Sequence, residues 1–195
     1  MIKFREGDYK VIIMKIKFLE TKEELPPACL THDNSRHNCQ NCIYWYLGKK
    51  ESQGLKQDQI RKNKAQYLKE AKNKYGYLLA LEKDKIIGLL QFGPKRVYKR
   101  FEDFKKKSTE TNDWVIVCLQ SKSNNQDIKV KLLKFLINFI KENHSQVKKL
   151  VAYVLKNRKI NTMSSNGSAE AFLEVGFKVS KELKENFLEV ALEFN

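Results

Sequence analysis

Residues 114–140, WVIVCLQSKSNNQDIKVKLLKFLINFI, decide how the chain folds. The run WVIVCLQ (114–120) is continuously apolar, the pattern of a β-strand covered on both faces. The polar segment SKSNNQ interrupts it. Beyond that segment, Ile128, Leu132, Leu133, Phe135, Leu136, Phe139 and Ile140 recur at helical spacing, with Asp127 read as the N-cap. A buried strand that turns through a short loop into an amphipathic helix is a building unit of layered α/β proteins.

The same reading extends outward. KLVAYVL (149–155) is a second buried strand, SAEAFLEVGF (168–177) a short helix closed by Gly176, and ENFLEVALEF (185–194) a last strand. Upstream, YGYLLALEKDKIIGLLQFGP (75–94) holds two apolar runs around Glu82-Lys83-Asp84-Lys85, a hairpin signal, with Pro94 ending the second strand. A helix over about 57–75 is marked by Ile60, Lys64, Tyr67, Leu68, Ala71 and Tyr75. The first strand spans about 11–18, where Ile13, Lys15 and Lys17 alternate with Met14, Ile16 and Phe18. Residues 95–112 are polar and read as an irregular excursion with one helical turn. This order predicts an α/β (α+β) three-layer fold around one mixed sheet. No linker or repeat divides the chain, so a single domain over 1–195 is expected. Its N-terminal strand and Cys/His-rich segment (1–55) precede the core (56–195).

The 195 residues suffice to bury a core, and 42% hydrophobic content excludes wholesale disorder. No apolar run approaches the roughly 20 residues a membrane-spanning helix needs. Lys15 and Lys17 interrupt anything resembling a signal peptide, so a cytoplasmic protein with reduced thiols is expected. The net charge of +15 would attract polyanions. The lysines are dispersed, with no arginine-rich arm and no stacking motif; nucleic acid therefore stands as a partner on charge alone, which speaks only to non-specific affinity.

Three segments carry a resemblance: the strand–loop–helix 114–140, the strand KLVAYVL, and the ending AEAFLEVGFKVSKELKENFLEVALEF, with its short helix finishing in Gly-Phe. Together they resemble the GNAT superfamily of N-acyltransferases from about Tyr75 onward. CQNCIYWY (39–46) also resembles the Cys-x-x-Cys-x-Tyr-Trp signature of one GNAT subgroup. The resemblance implies a cleft where strand 114–120 splays from 149–155. There Val117, Cys118 and Leu119 would offer backbone groups to the pantetheine arm of acetyl-CoA. The segment Asn124, Asn125, Gln126, Asp127, Ile128, Lys129 and Val130 would meet its pyrophosphate at a helix N-terminus. The implied reaction is acyl transfer to a small-molecule or peptide amine, by a monomer or homodimer.

The chain departs from the family at two places. The family's phosphate loop reads Gln/Arg-x-x-Gly-x-Gly/Ala, followed by two apolar residues that match Leu132-Leu133. Aligned on that pair, Asn124 takes the leading position, and Asp127 and Lys129 take the small ones. Glycine there admits close backbone approach. Asp127 adds negative charge instead, which Lys122, Lys129 and Lys131 would offset by pairing with phosphate. Phe172 stands where many members carry a tyrosine general acid. A GNAT fold that has lost coenzyme binding and instead holds a polyanion therefore stays open beside the enzyme.

For chemistry, Asp113 is the candidate to accept the amine's proton, or else a plain strand-start residue. Tyr153 is a candidate donor to the leaving thiolate, or else a core tyrosine. Cys118 reads as a small core hydrophobe. Cys29-x2-His32 and Cys39-x2-Cys42 have spacings suited to tetrahedral zinc, with His37 to spare, though the gap between the pairs is shorter than in common zinc fingers. A zinc-binding interaction module is thus a third reading. The other account of the segment is packing, with Cys42, Tyr44 and Trp45 holding it against the sheet near the acceptor side of the cleft.

Overall fold

The computed structural model describes residues 14–19, 24–26, 30, 39, 42, 44–47, 49–71, 75–100, 112–156, 166–183 and 186–194. Seven strands form one sheet: β1 (Met14–Phe18), β2 (Gly76–Glu82), β3 (Lys85–Pro94), β4 (Asp113–Ser121), β5 (Lys149–Leu155), β6 (Lys178–Glu182) and β7 (Phe187–Glu193), in the order β1-β2-β3-β4-β5-β7-β6. Every neighbouring pair is antiparallel except β4 with β5. Parallel neighbours need a crossover, and the helix after β4 supplies it. Four helices are described: α1 (Lys49–Ser52), α2 (Gln57–Ala71), α3 (Gln126–Asn143) and α4 (Glu170–Glu174). The architecture is the expected α/β three-layer one, a mixed sheet flanked by helices.

Period-two alternation divides the sheet's side chains between two cores. One face carries Leu78, Leu90, Phe92, Trp114, Ile116 and Leu119, packed against Leu132, Leu133, Leu136 and Ile140 of α3 and Phe172 of α4. The opposite face carries Tyr77, Leu79, Leu89, Val115, Val117 and Cys118 beneath Tyr67 and Ala71 of α2. Burying each large aliphatic or aromatic side chain contributes roughly 1.5–3 kcal/mol. Strand β4 feeds both cores and is buried at all nine residues, which is why its sequence reads as unbroken apolar.

Some boundaries differ from the expectation. Helix α3 begins at Gln126, and its N-cap is Asn125, not Asp127. Asn125 has extended geometry (φ −64°, ψ 120°), and its Oδ1 accepts from the Ile128 N–H at 3.2 Å. Asp127 is already helical and cannot fill that role. Lys129 is buried, whereas Phe135 is exposed. Helix α2 is described over Gln57–Ala71, and residues 72–74 of its expected extension to Tyr75 lie outside the described residues; β2 begins at Gly76 with φ +129°, open to glycine alone at low cost. Strand β6 lies outside the expected order, because all five of its residues are exposed at the sheet edge and carry no apolar alternation. Of the expected excursion 95–112, Lys95–Val97 form a 3₁₀ turn and 101–111 lie outside the described residues.

Helix α3 approaches the sheet closely only because β3 carries glycine at 88. A Cβ there would lie 2.5 Å from Ile128 Cγ2 and 3.0 Å from Leu132 Cδ1. Gly88→Val should therefore lower the free energy of unfolding by about 1–3 kcal/mol, as overpacked cores do. A urea melt showing no loss would refute this account of the packing.

Candidate active site

Strands β4 and β5 run side by side only briefly. Their register pairs Asp113 with Lys149 through Ile116 with Ala152, and stops there. On its other edge β4 keeps pairing with β3, but the register shifts between Gln91 and Phe92: Gln91 faces Cys118, Phe92 faces Ile116, and Val117 is the extra residue. A β-bulge bends and twists its strand. The bulge therefore sits at the residue where β4 and β5 part, leaving a wedge-shaped gap between 117–121 of β4 and the end of β5. It also turns Val117 and Cys118 to the same face, that of α2.

At the wide end of the gap, β4 runs through the 3₁₀ turn Lys122–Asn124 into α3. Ser123 and Asn124 adopt left-handed conformations, φ 54° and 52°. The Ser121 hydroxyl donates to the Asn125 carbonyl at 2.8 Å and ties the turn down. Asp127 is exposed beside it. Lys129 reaches back from the first turn of α3, and its ammonium donates to Asn124 Oδ1. A Cβ on Gly167, in the segment after β5, would lie 3.2 Å from that ammonium. Thus a buried cation stands between the 122–125 turn and the 166–168 segment, at the place where the family's alignment expected a small residue. Asn125 already occupies the Ile128 amide, so this helix end offers one donor fewer than an uncapped one. The turn that leads into α3 is thus braced by side chains, with Lys129 buried against it.

Tyr153 is the first residue of β5 past the parting and packs toward the α2 face. Burial, then the charge and hydrogen bond of Glu189, then the charge of Asp113, push its phenol well above the ordinary tyrosine value. It is a firm hydrogen-bond donor and a poor proton donor. Asp113 lies buried at the opposite, paired end of β4, in register with Lys149, and does not line the gap itself.

Beneath the bulge, the α2 face holds a polar cluster that sequence reasoning did not assemble. Lys64 of α2 is fully buried. Its ammonium donates to the Cys42 carbonyl at 2.9 Å and to the Tyr77 hydroxyl. It also lies 4.5 Å from the Tyr77 ring centroid and 5.0 Å from that of Tyr46, within cation–π range. The Tyr46 hydroxyl donates to that of Tyr77 at 2.9 Å and accepts from Gln91 Nε2, and the hydroxyls of Tyr67 and Tyr98 are 3.1 Å apart. Gln120 Nε2 donates to Cys118 Sγ at 3.0 Å, while Gln120 Oε1 accepts from the Leu30 N–H. Two signals were present in the sequence: a lysine within the apolar stripe of α2, and glutamines inside apolar strands.

The cysteine segment docks here only partly through the residues expected. Trp45 packs against this core, whereas Cys42 and Tyr44 are exposed and Cys39 and Tyr46 are buried. Cys29, His32 and His37 lie outside the described residues. Among the described residues, no group of three or more His, Cys, Asp or Glu side chains is placed to hold a metal ion. Nor is any described helix long and apolar enough to cross a membrane.

No protein-family model matches the chain, and no curated protein matches it in sequence. Solved structures do match. A ribosomal-protein-S5-alanine acetyltransferase from Vibrio fischeri aligns with TM-score 0.57 and 10% identity, over 98% of this chain and 95% of its own. An acetyltransferase of the GNAT family from Streptococcus pneumoniae aligns with TM-score 0.55 and 11% identity, over 93% and 100%. What is shared at these identities is the fold.

Burial lowers the Lys64 pKa from 10.5 to about 8, partly opposed by the nearby thiols of Cys42, Cys39 and Cys118. Between those two values the unfolded chain holds the proton and the folded one releases it, so stability should rise with pH over that window. Above about pH 10 the trend should reverse, because burial keeps Tyr46, Tyr77 and Tyr98 protonated while the unfolded tyrosines ionise. Urea melts from pH 8 to 10 should show a gain of about 1 kcal/mol per pH unit that is missing in Lys64→Met. Equal pH slopes in the two proteins would count against a deprotonating Lys64.

Proposed function

We propose that this protein is an N-acyltransferase that moves an acetyl or other acyl group from a coenzyme A thioester to a primary amine. The observation that carries the proposal is the coincidence of the Val117 bulge with the end of β4–β5 pairing. It ends the pairing of β4 with β5 at 117–119, the stretch along which an extended, amide-bearing arm would lie.

In this reading Val117, Cys118 and Leu119 hold the arm by their backbone, and the turn and helix start from Asn124 to Val130 face the nucleotide end. Lys129 supplies the positive charge that glycine-borne amides would otherwise focus on the phosphates. The thioester supplies an activated acyl carbon, and positioning the amine against it is the main catalytic task. The amine nitrogen forms the new bond to that carbon as the carbon–sulfur bond breaks. Tyr153, held protonated, would turn its single O–H from Glu189 to the departing thiolate and hydrogen-bond it there without giving up its proton. The ammonium proton passes to solvent or to the Glu189 carboxylate beside Tyr153; Asp113, at the far paired end of β4, would receive it only through solvent. The acceptor is an amine on a small molecule or a peptide.

One observation favours a second reading. Asn125 caps α3 itself, and Asp127 adds an acidic group at the phosphate end. Both would suit a fold that binds a polyanion on its basic surface without turnover.

Titration with acetyl-CoA separates the two readings. The enzyme predicts a rise in melting temperature at submillimolar ligand; no shift at millimolar ligand would end the acyltransferase reading. Lys129→Met should weaken acetyl-CoA binding by about tenfold or more, the worth of a charge-assisted hydrogen bond. Tyr153→Phe should lower kcat about tenfold with little change in KM, measured by thiol release.

A further inference from the structure

Where β4 leaves β5, a side chain takes over the hydrogen bonding. Asn166 is buried, and its Nδ2 donates to the Ile116 carbonyl and to the Tyr153 carbonyl, each at 3.1 Å. Ile116 is the last β4 residue in register with β5, and Tyr153 is the first β5 residue beyond that register. The two carbonyls flank the point at which the strands separate, one on each strand. A buried carbonyl left unpaired is costly, so the parting can persist only if something else donates to both. An uncharged group with two N–H bonds on one nitrogen does this, and among uncharged side chains only the amides of Asn and Gln carry one.

The chain around Asn166 completes the insertion. The Leu155 N–H donates to the Gly167 carbonyl at 2.8 Å, and Leu155 forms a parallel bridge with Ser168. Segment 166–168 thus takes the place beside the end of β5 that β4 has vacated. Gly167, at φ +71°, makes the turn that lets Asn166 point inward.

We infer that Asn166 is the positioning residue of the cleft: its amide pins β4 and β5 at a fixed separation and so sets where an acyl-bearing arm lies between them. The part of this inference that concerns the ligand rests on the acyltransferase reading; the pinning itself does not. Nothing about the residue requires it to touch the reacting atoms.

The test replaces Asn166 with Leu, which has similar size and no donor, and with Ser, which has one. Amide hydrogen exchange is followed at Leu155, with Leu132 and Leu133 of α3 as references for global stability. Binding is measured with acetyl-CoA and with 3′-phosphoadenosine 5′-diphosphate, the same nucleotide without its arm. In Asn166→Leu, Leu155 should exchange at least about tenfold faster while the references keep their rates, and in Asn166→Ser the effect should be smaller. Acetyl-CoA should bind at least about tenfold more weakly, with the armless nucleotide unchanged; simple destabilisation would weaken both. If Asn166→Leu does not fold, the same comparisons are made between wild type and Asn166→Ser. Wild-type exchange at Leu155 in the folded variants would overturn the pin. Faster exchange with unchanged acetyl-CoA affinity would overturn its role in positioning. Faster exchange in a protein whose wild type binds no acetyl-CoA would uphold the pin and defeat the acyltransferase reading alone.

Discussion

The extra residue that Val117 inserts in β4 bends this strand away from β5, and the layout of the candidate site follows from the gap. A parallel pair held over four residues and then released exposes strand edges inside the molecule, where unpaired backbone is expensive. The fold meets that cost in stages. Strand β3 keeps the outer edge of β4 paired across the bulge. Asn166 donates to the two carbonyls at the parting, and segment 166–168 covers the end of β5. Beyond Ile116, β4 is no longer in register with β5, and the proposed ligand arm would lie along that stretch.

The two faces of the sheet divide the labour. The α3 face is an ordinary apolar core, with Gly88 allowing the helix to seat closely. The α2 face is chemically different: beneath the bulge it buries Lys64, four tyrosines and Gln91 in one hydrogen-bonded cluster. A buried ammonium is tolerated only with compensation. Among the described residues, its hydrogen-bond partners are a carbonyl and a phenol, with two aromatic rings against it. Lowering of its pKa toward neutrality is the consequence. Because the Cys42 carbonyl belongs to this cluster, the cysteine-rich segment is held in place through its backbone and through Tyr46, while the Cys42 side chain stays exposed.

Much of the fold was legible because strong periodicity leaves few alternatives. Strand 114–120, the helix after it, the hairpin and strand 149–155 stand within a residue or two of the expected positions. The helix start shifted because Asn125 and Asp127 are both good caps, and local sequence does not say which adopts extended geometry. Strand β6 left no apolar signature, since ladder pairing with β7 and polar side-chain contacts of Ser180 and Glu182 hold it at the exposed edge.

The sequence by itself determined the layers: apolar alternation and helical spacing are local properties, and they oblige a sheet to be covered on both faces. It also marked the strand–loop–helix on which the candidate site is built. Only the tertiary structure decided the site's contents. That Val117 is the bulged residue depends on register with β3, that Asn166 bridges β4 and β5 depends on a contact 50 residues distant along the chain, and that Lys64 is buried depends on tyrosines from two other segments. Such features arise where separate segments meet and each needs a partner for its polar groups, and no local pattern of residues encodes which partner that will be.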